Sequence, residues 1–288
     1  MDAPNSLVNY ALNGFNASLI LYGPAGVGKS TSLFGKDNRF KYMEDSSDLV
    51  SRILFKIFER GNNSTQIGIS AFQIYKSENT KTEIVNDILA NLNDSSNVKD
   101  FANILVTNSD NAKSVLDTIK SKCYNWKSKK GRPLEIVSNK AHLFIRIMLK
   151  NQTDNIASSI IIVDSIGYRE QQDTILGKKE KELTDYANHS YESIKCILNE
   201  LIRQAETNKS QLPKAIYGKS SKYSQYMAPL LSGNCKTFLL GSICSEDVGK
   251  KAMSYLDLLE RSKKIITATT RDGTHETNNP SFIKFSTL

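Results

Sequence analysis

Residues Gly23-Pro24-Ala25-Gly26-Val27-Gly28-Lys29-Ser30 satisfy the pattern G-x-x-x-x-G-K-[ST], with Thr31 next in line. The chemistry this spacing supports is phosphate binding. Glycines let the backbone turn so that consecutive N–H groups face one concavity. Lys29 is placed to neutralise the β- and γ-phosphates, and the Ser30 hydroxyl to ligate Mg²⁺. A helix starting there directs its positive end at the anion. From average composition a chance match in a chain of this size is roughly a one-in-a-hundred event. The apolar run Leu19-Ile20-Leu21-Tyr22 just ahead of the loop reads as the strand such a loop follows.

A triphosphate site also needs a group that senses the terminal phosphate. Ile160-Ile161-Ile162-Val163-Asp164, followed by Ser165-Ile166-Gly167, supplies one. An Asp at the end of a buried strand can hold the Mg²⁺ shell, usually through water. Gly167 can then offer its N–H to a γ-phosphate. A guanine-reading N-K-x-D motif is not formed by Asn139-Lys140-Ala141-His142, which has His at the last position. A ring-forming ATPase usually carries Glu beside the strand-end Asp, and Ser165 stands there instead.

These groups need a scaffold, and the chain has material for one. It has 288 residues, 39% hydrophobic and 24% charged, which are globular proportions. Ser47 to Glu59 reads as a helix stopped by Gly61, Ile67 to Tyr75 as an alternating strand, and Ser109 to Lys122 as a capped helix. Leu143 to Leu149 and Ile160 to Val163 read as two strands joined by a polar hairpin at 151–155. Asp185 to Glu206 is the longest helix, with an apolar stripe of Ile194, Ile197, Leu198, Leu201 and Ile202. Thr237 to Ile243 reads as a late strand. Asp247 to Ile265 reads as a last helix with Met253, Leu256 and Leu259 on its apolar side. Alternating strands and helices predict an α/β layered domain.

Several classes fall away. No stretch approaches the ~20 apolar residues that cross a bilayer, and the first residues lack the basic region and apolar core of a secretory signal. Cys123, Cys196, Cys235 and Cys244 form no C-x-x-C pair, and with His142, His189 and His275 they assemble no zinc spacing. Reduced, buried thiols in a cytosolic protein are expected. The net charge of +8 suits an acidic partner. No nucleic-acid motif is present, and Trp126 is the only Trp.

In order and spacing the motifs resemble those of the kinesin motor domain. Asn13-Gly14-Phe15-Asn16-Ala17 is similar to the family's G-Y-N-A, Ser70 to Tyr75 to S-x-x-E-I-Y, and Asn86 to Leu89 to D-L-L. Ser138-Asn139-Lys140-Ala141-His142 sits at switch I, S-S-R-S-H, and Asp164 to Arg169 at switch II, D-L-A-G-S-E. Asn188-His189-Ser190-Tyr191 resembles N-K-S-L, Lys219 to Ser224 resembles R-D-S-K-L-T, and Ser232 to Thr237 resembles G-G-N-S-K-T. The resemblance spans about Leu7 to Thr267. It implies one P-loop motor domain over residues 1–267, with a mixed central sheet flanked by helices on both faces, and a polar or neck-linker-like segment over 268–288.

What the resemblance implies for function is a microtubule-stimulated ATPase of the cytoplasm and cytoskeleton that uses ATP/ADP and Mg²⁺. Partners would be tubulin and a partner kinesin chain or cargo adaptor. Residues Gly23 to Thr31 would hold the nucleotide. Ser138 would join Ser30 and Asp164 on the metal side. Asn139, Lys140, Gly167 and Glu170 would line the catalytic side with Lys29. The microtubule face would include Lys178, Lys179 and Lys181 in a loop, and Lys219 and Lys222 at the start of a helix. Acidic tubulin would be steered by these cations.

The chain departs from the pattern in three places. Lys140 and Arg169 stand where the family pairs Arg with Glu to close the site, so the aligned pair repels, and Lys does not replace Arg's bidentate fork. Glu170 comes one residue after the expected Glu. Asn139 and Ala141 replace two switch I serines. The residues matched begin almost at the strand before the phosphate loop. The family's opening segment of roughly 70 residues, with its edge strands and adenine-side R-x-R-P, therefore has no counterpart in the match. The first two departures weaken hydrolysis more than binding. They lead to a second reading, a non-motile module that binds nucleotide, microtubules or a partner motor. The third predicts an unpaired sheet edge and a more open base pocket.

Overall fold

The computed structural model describes residues 3–35, 48–62, 64–77, 80–90, 101–124, 140–153, 156–169, 178–207, 221–243, 250–265, 267 and 269. The 268–288 segment, apart from 269, lies outside the described residues.

The elements run α1 Ala3–Leu12, β1 Ala17–Tyr22, α2 Lys29–Phe34, α3 Leu49–Arg60, β2 Thr65–Lys76, β3 Glu83–Asp87, β4 Ile104–Val106 and α4 Ser109–Tyr124. They continue with β5 His142–Asn151, β6 Ala157–Asp164, α5 Lys178–Thr207, α6 Lys222–Ser232, β7 Lys236–Gly241 and α7 Lys250–Ser262. The seven strands form one mixed sheet in the order β3-β2-β5-β6-β1-β7, with β4 also on β2. β1 is parallel to both β6 and β7, while β5 is antiparallel to both β2 and β6.

This register puts the chemistry at one end of the strands. Leu21 of β1 is level with Asp164 of β6, and Leu143 of β5 is level with the same Asp164. The loop leaving β1, the turn leaving β6 and the start of β5 therefore meet at one end of the sheet. Ligands of open α/β sheets bind at such a crevice, beyond the carboxyl ends of parallel strands.

β1 is buried at all six positions, which explains its unbroken apolar run. Leu19 and Leu21 face a core built with Leu7, Val8, Leu33, Ile53, Leu54 and Ile57 from α1, α2 and α3. Ile20 and Tyr22 face the opposite core with Ile194, Leu198, Met227 and Leu258 from α5, α6 and α7. Each such aliphatic side chain, fully buried, contributes about 1.5–3 kcal/mol. α3 is capped by Asp48, whose side chain accepts from Ser51 N at 2.8 Å. It stops at Gly61, which is extended rather than left-handed. All five residues of the predicted α5 stripe are buried.

Several expectations need correction. α5 starts at Lys178, so residues 178–181 form its first turn and not a loop. Glu180 favours the helix start electrostatically. Glu182 pairs with Lys81, and the Tyr186 hydroxyl donates to Glu83 Oε1 at 3.0 Å, so the β2–β3 hairpin holds this end of the helix. α7 buries Tyr255 and Leu258, while Met253 and Leu256 are exposed at 68% and 41%. The face is set by Tyr255, whose hydroxyl donates to the carbonyl of Tyr22. Cys123 and Cys235 are buried, but Cys196 is exposed on α5. Among the described residues no helix is long and apolar enough to cross a membrane, and no group of three His, Cys, Asp or Glu could hold a metal.

Candidate functional site

The loop between β1 and α2 has the shape that its glycines predict. Gly26 and Gly28 adopt φ of 82° and 86°, left-handed values that L side chains rarely take. A Cβ at either would meet nothing within 4 Å, so it is the backbone path and not crowding that calls for glycine there. Lys29 opens α2 and is 6% exposed. Its Nζ folds back across the loop, donating to Gly23 O at 3.1 Å and to Pro24 O. Burial pushes its pKa down to about 8; Asp164 opposes this shift and Arg169 adds to it. Two carbonyls and the Asp164 carboxylate do not offset the burial of this cation, and an anionic ligand would offset it further.

Ser30 and Asp164 close the other side. The Ser30 hydroxyl donates to Asp164 Oδ2 at 2.5 Å. Asp164 is 3% exposed, and its Oδ1 is buried with no hydrogen-bond partner among the described residues. Burial raises its pKa to about 6, against the lowering effects of Ser30 and Lys29. A buried carboxylate oxygen without a donor, beside a hydroxyl, is a hard oxygen pair of the kind that Mg²⁺ takes, directly or through water. The residues present fit such an ion.

The turn after β6 lies against the loop. Ala25 N donates to Tyr168 O at 2.8 Å, and Pro24 and Tyr168 form a parallel bridge. A Cβ on Gly167 would lie 2.3 Å from Ala25 N, so only glycine allows this approach. Asn188 of α5 clamps the next residue but one from both sides. Its Oδ1 accepts from Arg169 N at 2.8 Å, and its Nδ2 donates to Arg169 O at 2.9 Å.

The structure thus brings together Gly23 to Ser30, Asp164, Gly167 and Arg169, with Thr31 on the same short helix. Lys140 lies half-buried ahead of β5, and Ala141 is buried. Ser138, Asn139, Glu170 and Lys219 lie outside the described residues. Lys181 and Lys222 are both exposed, at the starts of α5 and α6.

Some residues near the site have no role assigned by their sequence motifs. His142, fully buried, accepts from Ile166 N at Nδ1 over 3.2 Å, so its Nε2 carries the ring proton. Burial and the Lys29 charge hold it well below the ordinary imidazole value, hence neutral. Tyr223 stacks on His142 with ring centroids 3.5 Å apart and shares a hydrogen bond with Ser165. The Tyr22 ring, next to the loop, stacks on Tyr191 of α5 at 4.6 Å. Ser165 and Tyr223 do carry a signal in the sequence, since they place hydroxyls where D-L-A-G-S-E and R-D-S-K-L-T have leucine.

The family model for the kinesin motor domain matches residues 2–265. The chain belongs to the kinesin motor domain family. Among curated relatives, Kinesin-related protein 10 of Dictyostelium discoideum is 23% identical over 296 residues, covering 94% of this chain and 23% of that protein. Kinesin-like protein KIN-14A of Oryza sativa subsp. japonica is 26% identical over 269 residues, covering 89% of this chain and 26% of that protein. The chain therefore spans about a quarter of the length of these relatives. Among solved structures, a fast kinesin superposes with a TM-score of 0.72 at 20% identity, covering all of this chain and 82% of that one. A KIF14 dimer segment in complex with a microtubule and AMP-PNP superposes with a TM-score of 0.70 at 16% identity, covering 93% and 76%. The kinesin fold accounts for the mixed sheet with helices on both faces and for the meeting of loop and turn at one end of its strands.

Proposed function

We propose that this kinesin-family chain is a Mg²⁺-dependent ATP-binding and ATP-hydrolysing motor domain that works on microtubules in the cytoskeleton. The observation that carries the reading is the junction of the Gly23–Ser30 loop with the Asp164–Arg169 turn. There a buried lysine, a serine–aspartate pair and a glycine-only contact converge at one end of the sheet.

In this reading the backbone of Gly23 to Gly28 cradles the phosphates and Lys29 swings from Gly23 O and Pro24 O to the β- and γ-oxygens. Ser30, Asp164 and Ser138 form the metal side. Mg²⁺, when bound, neutralises charge that develops on the phosphate oxygens. Gly167 offers its N–H to the γ-phosphate, with Asn139, Lys140 and Glu170 on the side of the attacking water. Lys178, Lys179, Lys181, Lys219 and Lys222 supply a basic face toward tubulin. The microtubule-bound, AMP-PNP-bound KIF14 relative supports both nucleotide and partner.

One feature favours a second reading. Arg169, whose backbone Asn188 holds beside the phosphate loop, stands where the kinesin motif has Glu, and its like charge adds, after burial, to the lowering of the Lys29 pKa. A site with this arrangement binds nucleotide but positions water poorly. The chain would then be a slow or non-hydrolysing module on microtubules or on a partner motor. Phosphate release by the purified chain, with and without microtubules and beside Lys29→Ala, separates the two. Microtubule stimulation well above the Lys29→Ala background supports the motor. Nucleotide binding with no stimulation supports the module.

A further inference from the structure

The turn that carries Gly167 is held on one side by the phosphate loop. Its other side is held by α6, through a closed ring of buried contacts. The Tyr223 hydroxyl and Ser165 Oγ share a hydrogen bond of 2.6 Å. The next residue, Ile166, donates its N–H to His142 Nδ1 at 3.2 Å, and the His142 ring returns to Tyr223 in a 3.5 Å stack. Tyr223 and His142 are 0% exposed and Ser165 is 5% exposed. Asp164 and Gly167 flank this pair of residues, so whatever fixes Ser165 and Ile166 fixes the orientation of both.

Tyr223 is also well anchored. It is the second residue of α6, whose first N–H, that of Lys222, donates to Glu83 Oε2, and whose cap Ser221 accepts from Ser224 N at 3.2 Å. Movement of the α6 start is thereby movement of the Tyr223 ring. The kinesin motifs D-L-A-G and R-D-S-K-L-T have leucine at the positions of Ser165 and Tyr223. This chain replaces two apolar residues with one hydrogen-bonded pair. Either hydroxyl alone would be a buried polar group without its partner, whereas removing both leaves an apolar contact.

We propose that Tyr223 is a positioning residue that, through Ser165, couples helix α6 to the turn facing the γ-phosphate. The coupling rests on the nucleotide reading above. It holds the Ile166–Gly167 peptide in the orientation that distinguishes a triphosphate from a diphosphate. Because the link is a matched pair, its loss is non-additive.

The test uses the full 288-residue chain. Affinities for Mg²⁺·AMP-PNP and Mg²⁺·ADP are measured by titration calorimetry for wild type, Tyr223→Phe, Ser165→Ala and the double variant. ADP affinity, which the coupling leaves unchanged, reports that the fold is intact. Each single variant is expected to lose roughly tenfold in the AMP-PNP to ADP affinity ratio, because either substitution breaks the same link between α6 and the turn, and only a link made differently in the two bound states can move the ratio. The double variant is expected to be no worse than either single. A ratio unchanged in both single variants, an equal loss for both nucleotides, or additive losses in the double variant would overturn the coupling. A wild type that binds neither nucleotide would instead overturn the nucleotide reading itself, and the coupling with it.

Discussion

Ser30, at the start of α2, and Asp164, at the end of β6, are 134 residues apart in sequence and joined by a 2.5 Å hydrogen bond. The parallel register of β1 and β6 makes this possible, because Leu21 and Asp164 are level and the chain needs only the loop 23–28 to bring Ser30 back over the strand end. The pair leaves Asp164 Oδ1 without a donor among the described residues, and that oxygen is the one expected to hold the hydrated metal. Ser30→Ala and Asp164→Asn should each weaken Mg²⁺-nucleotide binding by roughly tenfold to a hundredfold. Neither should matter much in EDTA. Calorimetric titration with and without Mg²⁺ checks this, and equal losses in both conditions would argue for a purely structural pair.

Lys29 makes a prediction about pH. Its folded pKa is lowered from 10.5 to about 8, chiefly by burial. Between those values the unfolded chain binds more protons than the folded one, so stability contributed at this site rises with pH across the window. Below pH 8 the cost of the buried cation is fully present. Urea unfolding of wild type and Lys29→Met over about pH 7 to 10 should show wild type gaining on the variant as pH rises. Parallel curves would mean that Lys29 is not held as a costly buried cation.

Gly167→Ala tests the contact between turn and loop. The added methyl would lie 2.3 Å from Ala25 N, against backbone that cannot rotate away. A loss of about 1–3 kcal/mol of stability is expected, as for overpacking generally. AMP-PNP affinity should fall more than ADP affinity. Thermal melts and paired nucleotide titrations report both effects, and a Gly167→Ala variant with wild-type values in each would show that the turn stands off the loop in solution.

The legibility of the molecule follows the physics of each segment. α3 and the stripe of α5 are readable because their buried residues recur at helical spacing, β1, β5 and β6 because strands buried on both faces leave nearly continuous apolar runs, and the phosphate loop because its glycines are required by backbone geometry. α1 escapes a sequence reading: at ten residues, with Leu7, Val8 and Ala11 as its core contacts, it shows too little of a helical repeat. β3 and β4 escape it because at five and three residues they take their strand character from β2 and not from their own sequence. The charged start of α5, residues 178–181, reads as a loop because its hold on the hairpin comes from Lys81–Glu182 and Glu83–Tyr186, contacts far apart in sequence. At the site, Asp164 and Gly167 follow from their spacing. The Ser165–Tyr223 bond does not, since a pair 58 residues apart declares itself only when α6 is packed against the end of β6.

Arg169 carries the choice between motor and module. Its backbone is fixed by Asn188, and its charge bears on Lys29. Arg169→Glu removes that repulsion and puts a carboxylate where the kinesin motif has one. The expected outcome is a rise in turnover of about tenfold or more, equivalent to ~1.4 kcal/mol off the barrier, with little change in KM. Steady-state ATPase assays decide it, and an unchanged or lower kcat would show that Arg169 is not what limits hydrolysis.

In the proposed function, loop and turn together read the γ-phosphate and pass that reading to a basic, tubulin-facing surface. Microtubule co-sedimentation of the purified chain with saturating ADP, against saturating AMP-PNP, tests this most directly. Stronger pelleting with AMP-PNP is predicted, with loss of the difference in Lys29→Ala. Equal pelleting in the two nucleotides, or none in either, would contradict it.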